Sequence, residues 1–145
     1  MSALGIALLV GLVVAVVVRG VTHTLTFSAG GFSDGMTPIT VSTTGSLGLE
    51  IDEDVAASTT DQLLTIAIDV SEIESLIIFT DGALTVETNS SSAPAQTLTF
   101  AADKPLVWAS GMPSSCPLTT DVTALYFTNA GGSSVNIRGI INLSI

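Results

Sequence analysis

Beyond Gly20 the chain alternates apolar and polar residues. In "HTLTFS", Leu25 and Phe27 fall on one side and Thr24 and Thr26 on the other. In "LLTIAIDV", Leu64, Ile66, Ile68 and Val70 oppose Thr65, Ala67 and Asp69. "ALTVET" pairs Leu84 with Val86, "TLTF" pairs Leu98 with Phe100, and "PLVWA" pairs Leu106 with Trp108. "SVNIRGIINLSI" sets Val135, Ile137, Ile141, Leu143 and Ile145 on one side. Neighbouring side chains of a strand point to opposite faces, so a period of two predicts strands with one face buried. "PITVST", "SLGLEI", "SLIIFT" and "TALYFT" are further strand candidates.

The breaks between these runs carry turn chemistry: "SAGGFSDGM", "TDGA", "NSSSAP", "SGMPSSCP" and "NAGGSS". Asp81-Gly82 predicts a tight hairpin, because glycine accepts a positive φ without steric cost. "SEIES" allows a single helical turn, and no stretch of the body sustains a 3.6-residue period. About ten short strands at this spacing predict an all-β fold, an antiparallel sandwich, jelly roll or closed barrel, and the leading reading is an antiparallel β-sandwich of jelly-roll type. Its expected core includes Ile66, Ile68, Leu84, Leu98, Trp108, Leu125 and Ile137.

The opening, "MSALGIALLVGLVVAVVVRG", breaks that pattern: from Ala3 to Val18 there is no polar side chain. As a helix, residues 1–18 would span about 27 Å, close to the ~30 Å hydrocarbon core of a bilayer. Apolar residues surround that helix on every side, which argues against an amphipathic surface helix. The segment reads first as a membrane anchor and second as a hydrophobic arm or strand packed into a neighbouring subunit. A cleaved secretory signal comes last, since no basic residue precedes the run and "VVVRGVTHT" lacks a small-x-small site. The residues expected to meet lipid or partner are Leu4, Ile6, Leu8, Leu9, Val10, Leu12, Val13, Val14, Val16, Val17 and Val18. The chain thus divides into a hydrophobic anchor or arm, 1–20, and a β-sandwich domain, 21–145.

Composition sharpens this picture. Of the 145 residues 47% are hydrophobic and only 11% charged, which is apolar for a soluble domain. Thirteen acidic residues against Arg19, Lys104 and Arg138 give a formal charge of −10. Phosphate binding needs Lys and Arg, so nucleic acid is excluded as a partner. Cys116 is the single cysteine, so there is no internal disulfide framework. Threonine and serine fill the outward strand positions where most soluble proteins place lysine and glutamate. That dressing suits a subunit packed against copies of itself.

Candidate chemistry is sparse. A nucleophile–base pair would have to use His23, the one histidine, with Cys116 or a serine, and no stretch shows a nucleophile-elbow pattern. In "LEIDEDV", Glu50, Asp52, Glu53 and Asp54 supply the hard oxygen ligands that Ca²⁺ prefers. The run lacks the spaced loop with a distal glutamate, so a solvated acidic loop is the preferred reading. Trp108, in phase with Leu106, is expected in the core and not on a sugar-stacking platform. The glycine-rich stretches lack a following helix or lysine and are turns, not phosphate cradles. No enzyme activity and no cofactor are expected.

Residues 63–145 carry a series of blocks in a fixed order: "IDVS", "SLIIFTDGALTVETN", "KPLVW", then "PLTTDVTALYFTNA" ahead of a final strand. In this the chain resembles small β-rich virion structural proteins of bacteriophages. The resemblance implies a capsid-associated protein, of minor capsid or decoration type, located in the virion, with other virion proteins and itself as partners. The apolar leader departs from that family's pattern and suits a virion protein pinned to a membrane or threaded into a partner. The alternative is a membrane-anchored cell-surface binding module whose loops "NSSSAP" and "SGMPSSCP" recognise a glycan or a protein.

Overall fold

The computed structural model describes residues 21–27 and 39–145. Strand β1 (Val21–Phe27) pairs antiparallel with β2 (Ile39–Gly45) in a two-stranded sheet. Eight further strands follow: β3 (Leu47–Val55), β4 (Thr59–Ile68), β5 (Ile73–Thr80), β6 (Leu84–Thr88), β7 (Thr97–Phe100), β8 (Leu106–Ala109), β9 (Val122–Asn129) and β10 (Val135–Leu143). They form two antiparallel four-stranded sheets, in the orders β3-β10-β5-β8 and β4-β9-β6-β7. Every connection from β3 to β10 except β6–β7 passes from one sheet to the other.

The period-two pattern explains how the two sheets meet. Leu49, Ile51 and Val55 of β3, Leu76 and Ile78 of β5, and Ile137 and Ile141 of β10 turn inward from one sheet. Leu64, Ile66 and Ile68 of β4, Leu84 and Val86 of β6, and Leu125 and Phe127 of β9 turn inward from the other. Together they make one hydrophobic cluster between the sheets, a sandwich-like arrangement. Each such buried side chain contributes about 1.5–3 kcal/mol over its exposed state.

Several expectations are corrected. Asp81-Gly82 does not close a hairpin: β5 and β6 lie in different sheets, and the turn is a corner between them. Gly82 is required by close approach and not by a positive φ, because a Cβ there would meet Val135 Cγ2 at 2.5 Å. Asp81 ties the corner to β10: its Oδ1 accepts from the Asn136 N–H at 2.8 Å, and its own N–H donates to the Asn136 carbonyl. "LEIDEDV" is strand and not loop: Glu50, Asp52 and Asp54 face outward along β3, Leu49, Ile51 and Val55 face the core, and Glu53 takes one half-buried inward position. A single 3-10 turn spans Val70–Glu72, so Val70 leaves the strand, although it still packs on the core. Asp69 caps that turn, its Oδ1 accepting from the Ser71 N–H at 2.9 Å.

Leu98 and Trp108 sit at the margin of the core, half-buried, and not in its centre. Trp108 keeps one edge outward because its Nε1–H donates to the Ser114 carbonyl at 2.8 Å. Ile145 lies past the end of β10 and is 76% exposed, so it does not join the face of Val135, Ile137, Ile141 and Leu143.

Among the buried polar side chains, Asn129 joins two turns. Asn129 is fully buried at the end of β9. Its Nδ2 donates to the carbonyls of Val55, Ala56 and Ser133 at 3.0, 3.0 and 2.8 Å, and its Oδ1 accepts from the Gly131 N–H at 2.9 Å. One amide thereby holds together the β3–β4 turn and the β9–β10 turn. A buried amide with this many partners repays its desolvation, whereas any one lost partner would leave a costly orphan.

Candidate interaction surface

The outer face of the β3-β10-β5-β8 sheet carries the most unusual surface among the described residues. Register fixes its rows. Glu50, Ile140, Ile77 and Val107 lie side by side across the four strands, and Asp52, Arg138 and Phe79 form the adjacent row. Phe79 and Ile140 are exposed, at 43% and 40%. With Ile77 between them they line a depression of about 310 Å³, rimmed by Glu50, Asp52 and Arg138. An outward sheet position normally takes a polar residue. Three large hydrophobics gathered on one face therefore mark a surface that is stabilised by being covered.

Charge around the depression is unbalanced. Arg138 Nε lies 3.5 Å from Asp52 Oδ1, an exposed pair of small net worth. Asn136 Nδ2 donates to Asp52 Oδ1 at 3.2 Å and to Asp54 Oδ1 at 3.0 Å, bracing the acids along β3. Glu50, opposite Ile140, completes an outward acidic row that holds one cation.

The β1–β2 hairpin covers one end of the same face. Strand β2 packs against β5 and β10. Gly45 comes so close to Asn142 that a Cβ there would collide with the Asn142 side chain. Under this cover Ser75 and Asn142, outward-facing by register, are almost wholly buried. The Ser46 N–H then donates to the Leu143 carbonyl at 2.9 Å, leading the chain into β3.

The sheet edges are less inviting than this face. Edge strand β3 carries Glu50, Asp52, Glu53 and Asp54, and edge strands β7 and β8 have four residues each. Edge strand β4 breaks register with β9 at two places, and Asp61 within it adopts a φ of 55°. Charge, shortness and irregularity all hinder edge-to-edge pairing.

The other sequence-derived candidates fall elsewhere. Glu50, Asp52 and Asp54 point outward along β3 while Glu53 occupies the opposite register. Among the described residues, no three His, Cys, Asp or Glu side chains are grouped to hold a metal ion. His23 is on β1 opposite Thr43, and its side chain lies outside the description. Cys116 is in the β8–β9 connection, half-buried against the core. Burial pushes its thiol above the ordinary thiol range, and a hydrogen bond with the Leu118 backbone opposes that in part. This is a resting thiol and not an activated nucleophile. The leader residues Leu4, Ile6, Leu8, Leu9, Val10, Leu12, Val13, Val14, Val16, Val17 and Val18 lie outside the described residues. No helix among the described residues is long and apolar enough to cross a membrane.

The loops of the alternative reading do meet at one end of the molecule. Gln96 Nε2 donates to the Pro117 carbonyl at 2.9 Å, and Gln96 Oε1 accepts from the Thr119 N–H at 2.7 Å. Asn89, with a φ of 68°, donates to the Asp121 carbonyl and accepts from the Thr123 N–H, both at 2.8 Å. These side chains bind the β6–β7 connection to the segment before β9. Sequence reading missed both the Gln96 link and the apolar outer face, although "SLIIFT", with four apolar residues in a row, was a signal that two of them must face outward.

Comparison with protein-family models, curated proteins and solved structures finds no match to this chain.

Proposed function

We propose that this chain is a non-enzymatic, capsid-associated virion structural protein. Its β domain assembles with copies of itself or with other virion proteins, and its hydrophobic N-terminus anchors it in a membrane or a partner subunit. The observation that carries the reading is the outer face of the β3-β10-β5-β8 sheet, where Ile77, Phe79 and Ile140 form an apolar depression. A free monomer loses stability by hydrating such a surface, and a subunit gains by covering it. The guarded edges direct association to the face. Strand order also supports an eight-stranded jelly roll: consecutive strands other than β6 and β7 alternate between sheets, and β10 returns between β3 and β5. Jelly rolls serve capsid and lectin domains alike, so fold by itself does not choose between them.

The full-length chain should form symmetric oligomers or shells, seen by sedimentation and negative-stain electron microscopy. Phe79→Ser with Ile140→Ser should dissolve them without unfolding the domain. A monodisperse monomer at every concentration, with the leader intact, would overturn the proposal.

The second reading, a membrane-anchored surface binding module, draws on the junction of the two loops at Gln96. Retention on a glycan array, lost when residues 90–94 are replaced by glycine and serine, would favour it over the structural role.

A further inference from the structure

We infer that two copies of this chain pack face to face through the outer face of the β3-β10-β5-β8 sheet, related by a two-fold axis that runs along the strands between β10 and β5. The inference rests on the assembly reading above and names its partner, a second copy, together with the axis that joins the two.

Charge is sorted across the width of this face. Glu50, Asp52 and Asp54 point outward along the β3 edge. The centre, β10 and β5, carries Ile140, Ile77 and Phe79 with Arg138 among them. At the far edge exposed Lys104 precedes β8. Leu106 is level with Ile78, and the Asp103 N–H donates to the Thr80 carbonyl at 3.0 Å. Lys104 therefore sits at the same end of the sheet as Asp52 and Asp54, but on the opposite edge. Lys104 and Arg138 are the only lysine and arginine among the described residues.

A face that meets a copy of itself does so about a two-fold axis, and here the axis lies in the plane between the two sheets. An axis across the strands lays each strand on itself, so the β3 acids of one copy face the β3 acids of the other. An axis along β10 sets Arg138 against Arg138. An axis along β5 leaves the β3 edge uncovered. An axis between β10 and β5 reverses the strand order and keeps each cross-strand row level with itself. Ile140 of one copy then meets Ile77 of the other, and Arg138 meets Phe79, a cation over an aromatic face. The β3 edge lies over the β8 edge, which brings Asp52 and Asp54 to Lys104. Symmetry makes each of these contacts twice. Asp103, beside Lys104, offsets part of the attraction.

Size sets the strength of the contact. The β1–β2 hairpin covers the row of Ser75 and Asn142, which leaves the rows from Ile140 to Asn136. At ~4.8 Å between strands and ~6.8 Å between rows, that is roughly 400 Å² of flat sheet per copy. A total of roughly 800 Å², before side-chain relief is added, is at the low end for specific interfaces. It suits a weak contact repeated within an assembly.

The test is self-association of the full-length chain in a mild detergent that occupies the leader, measured by analytical ultracentrifugation over a concentration series. Asp52→Lys makes the chain less negative, so general repulsion between copies would predict tighter association. The arrangement predicts the reverse, association weaker by about tenfold, because both contacts with Lys104 become repulsive. Lys104→Glu should weaken it by a similar factor. Placed in one chain, the two substitutions exchange the charges, and association should return to within about threefold of the unsubstituted chain. Asp52 and Lys104 are both exposed, and an unchanged urea midpoint confirms that each variant folds. Tighter association of Asp52→Lys, or no recovery in the double variant, overturns the inference and leaves the assembly reading standing. An unsubstituted chain that stays monomeric at every concentration, with and without detergent, overturns both.

Discussion

Replacing Asn129 with alanine is the sharpest test of how this frame is held. The substitution removes an NH2 group whose two protons are shared among the carbonyls of Val55, Ala56 and Ser133, and an oxygen that accepts from the Gly131 N–H. Each net hydrogen bond is worth about 0.5–1.5 kcal/mol, and each buried group left unpaired costs about 1–3 kcal/mol. Because Asn129 is fully buried, water does not readily take its place. Relaxation of the two turns will rehydrate some of the four groups, so the expected loss is about 3–5 kcal/mol. That is a large fraction of the roughly 5–15 kcal/mol that stabilises a domain. Urea unfolding followed by the fluorescence of Trp108, the single tryptophan, measures it directly. The comparison variant is Asn136→Ala, which loses bonds of similar length to Asp52, Asp54 and the Glu53 carbonyl. Two of those partners, Asp52 and Asp54, lie at the surface, where water substitutes, and the bond to the half-buried Glu53 carbonyl is long at 3.3 Å, so the cost should stay below about 1 kcal/mol. Equal losses for the two asparagines, at an unchanged m-value, would refute the claim that burial gives Asn129 its weight.

Three further outcomes follow from the same geometry. Gly82→Ala should destabilise by about 1–3 kcal/mol in the same urea assay, since its Cβ must displace Val135 across the sheet corner; Gly132→Ala, with open space around it, is the control. Cys116 should react with iodoacetamide several-fold more slowly than a free thiol at pH 8, because burial raises its pKa. The folded state then holds its thiol proton to higher pH than the unfolded state, so stability contributed by this group is intact below the unfolded pKa and declines as pH rises beyond it, an effect that Cys116→Ala should abolish. Arg138→Ala should change stability by less than about 1 kcal/mol, because both members of the Arg138–Asp52 pair are more than half exposed; a larger loss, insensitive to salt, would show that Arg138 acts through packing.

The amino-acid sequence by itself determined the strands and their inward faces. Leu64, Ile66 and Ile68, or Val135, Ile137 and Ile141, announce a buried face within a few residues, because side-chain alternation is a local property of the extended backbone. Where alternation failed, so did local reading. In "LEIDEDV" the charges, Glu53 on the inward register among them, concealed a strand whose core residues are Leu49, Ile51 and Val55. Tertiary structure alone decided the pairing. Nothing near Asp81-Gly82 says that β6 leaves the sheet of β5, since that choice depends on β10 entering between β3 and β5 from some sixty residues away. The same holds for the apolar depression. Ile77, Phe79 and Ile140 belong to two strands far apart in the chain and become a surface only when register sets them side by side. Local sequence fixes which way a side chain points along its own strand, whereas its neighbours are fixed by contacts that no short stretch contains.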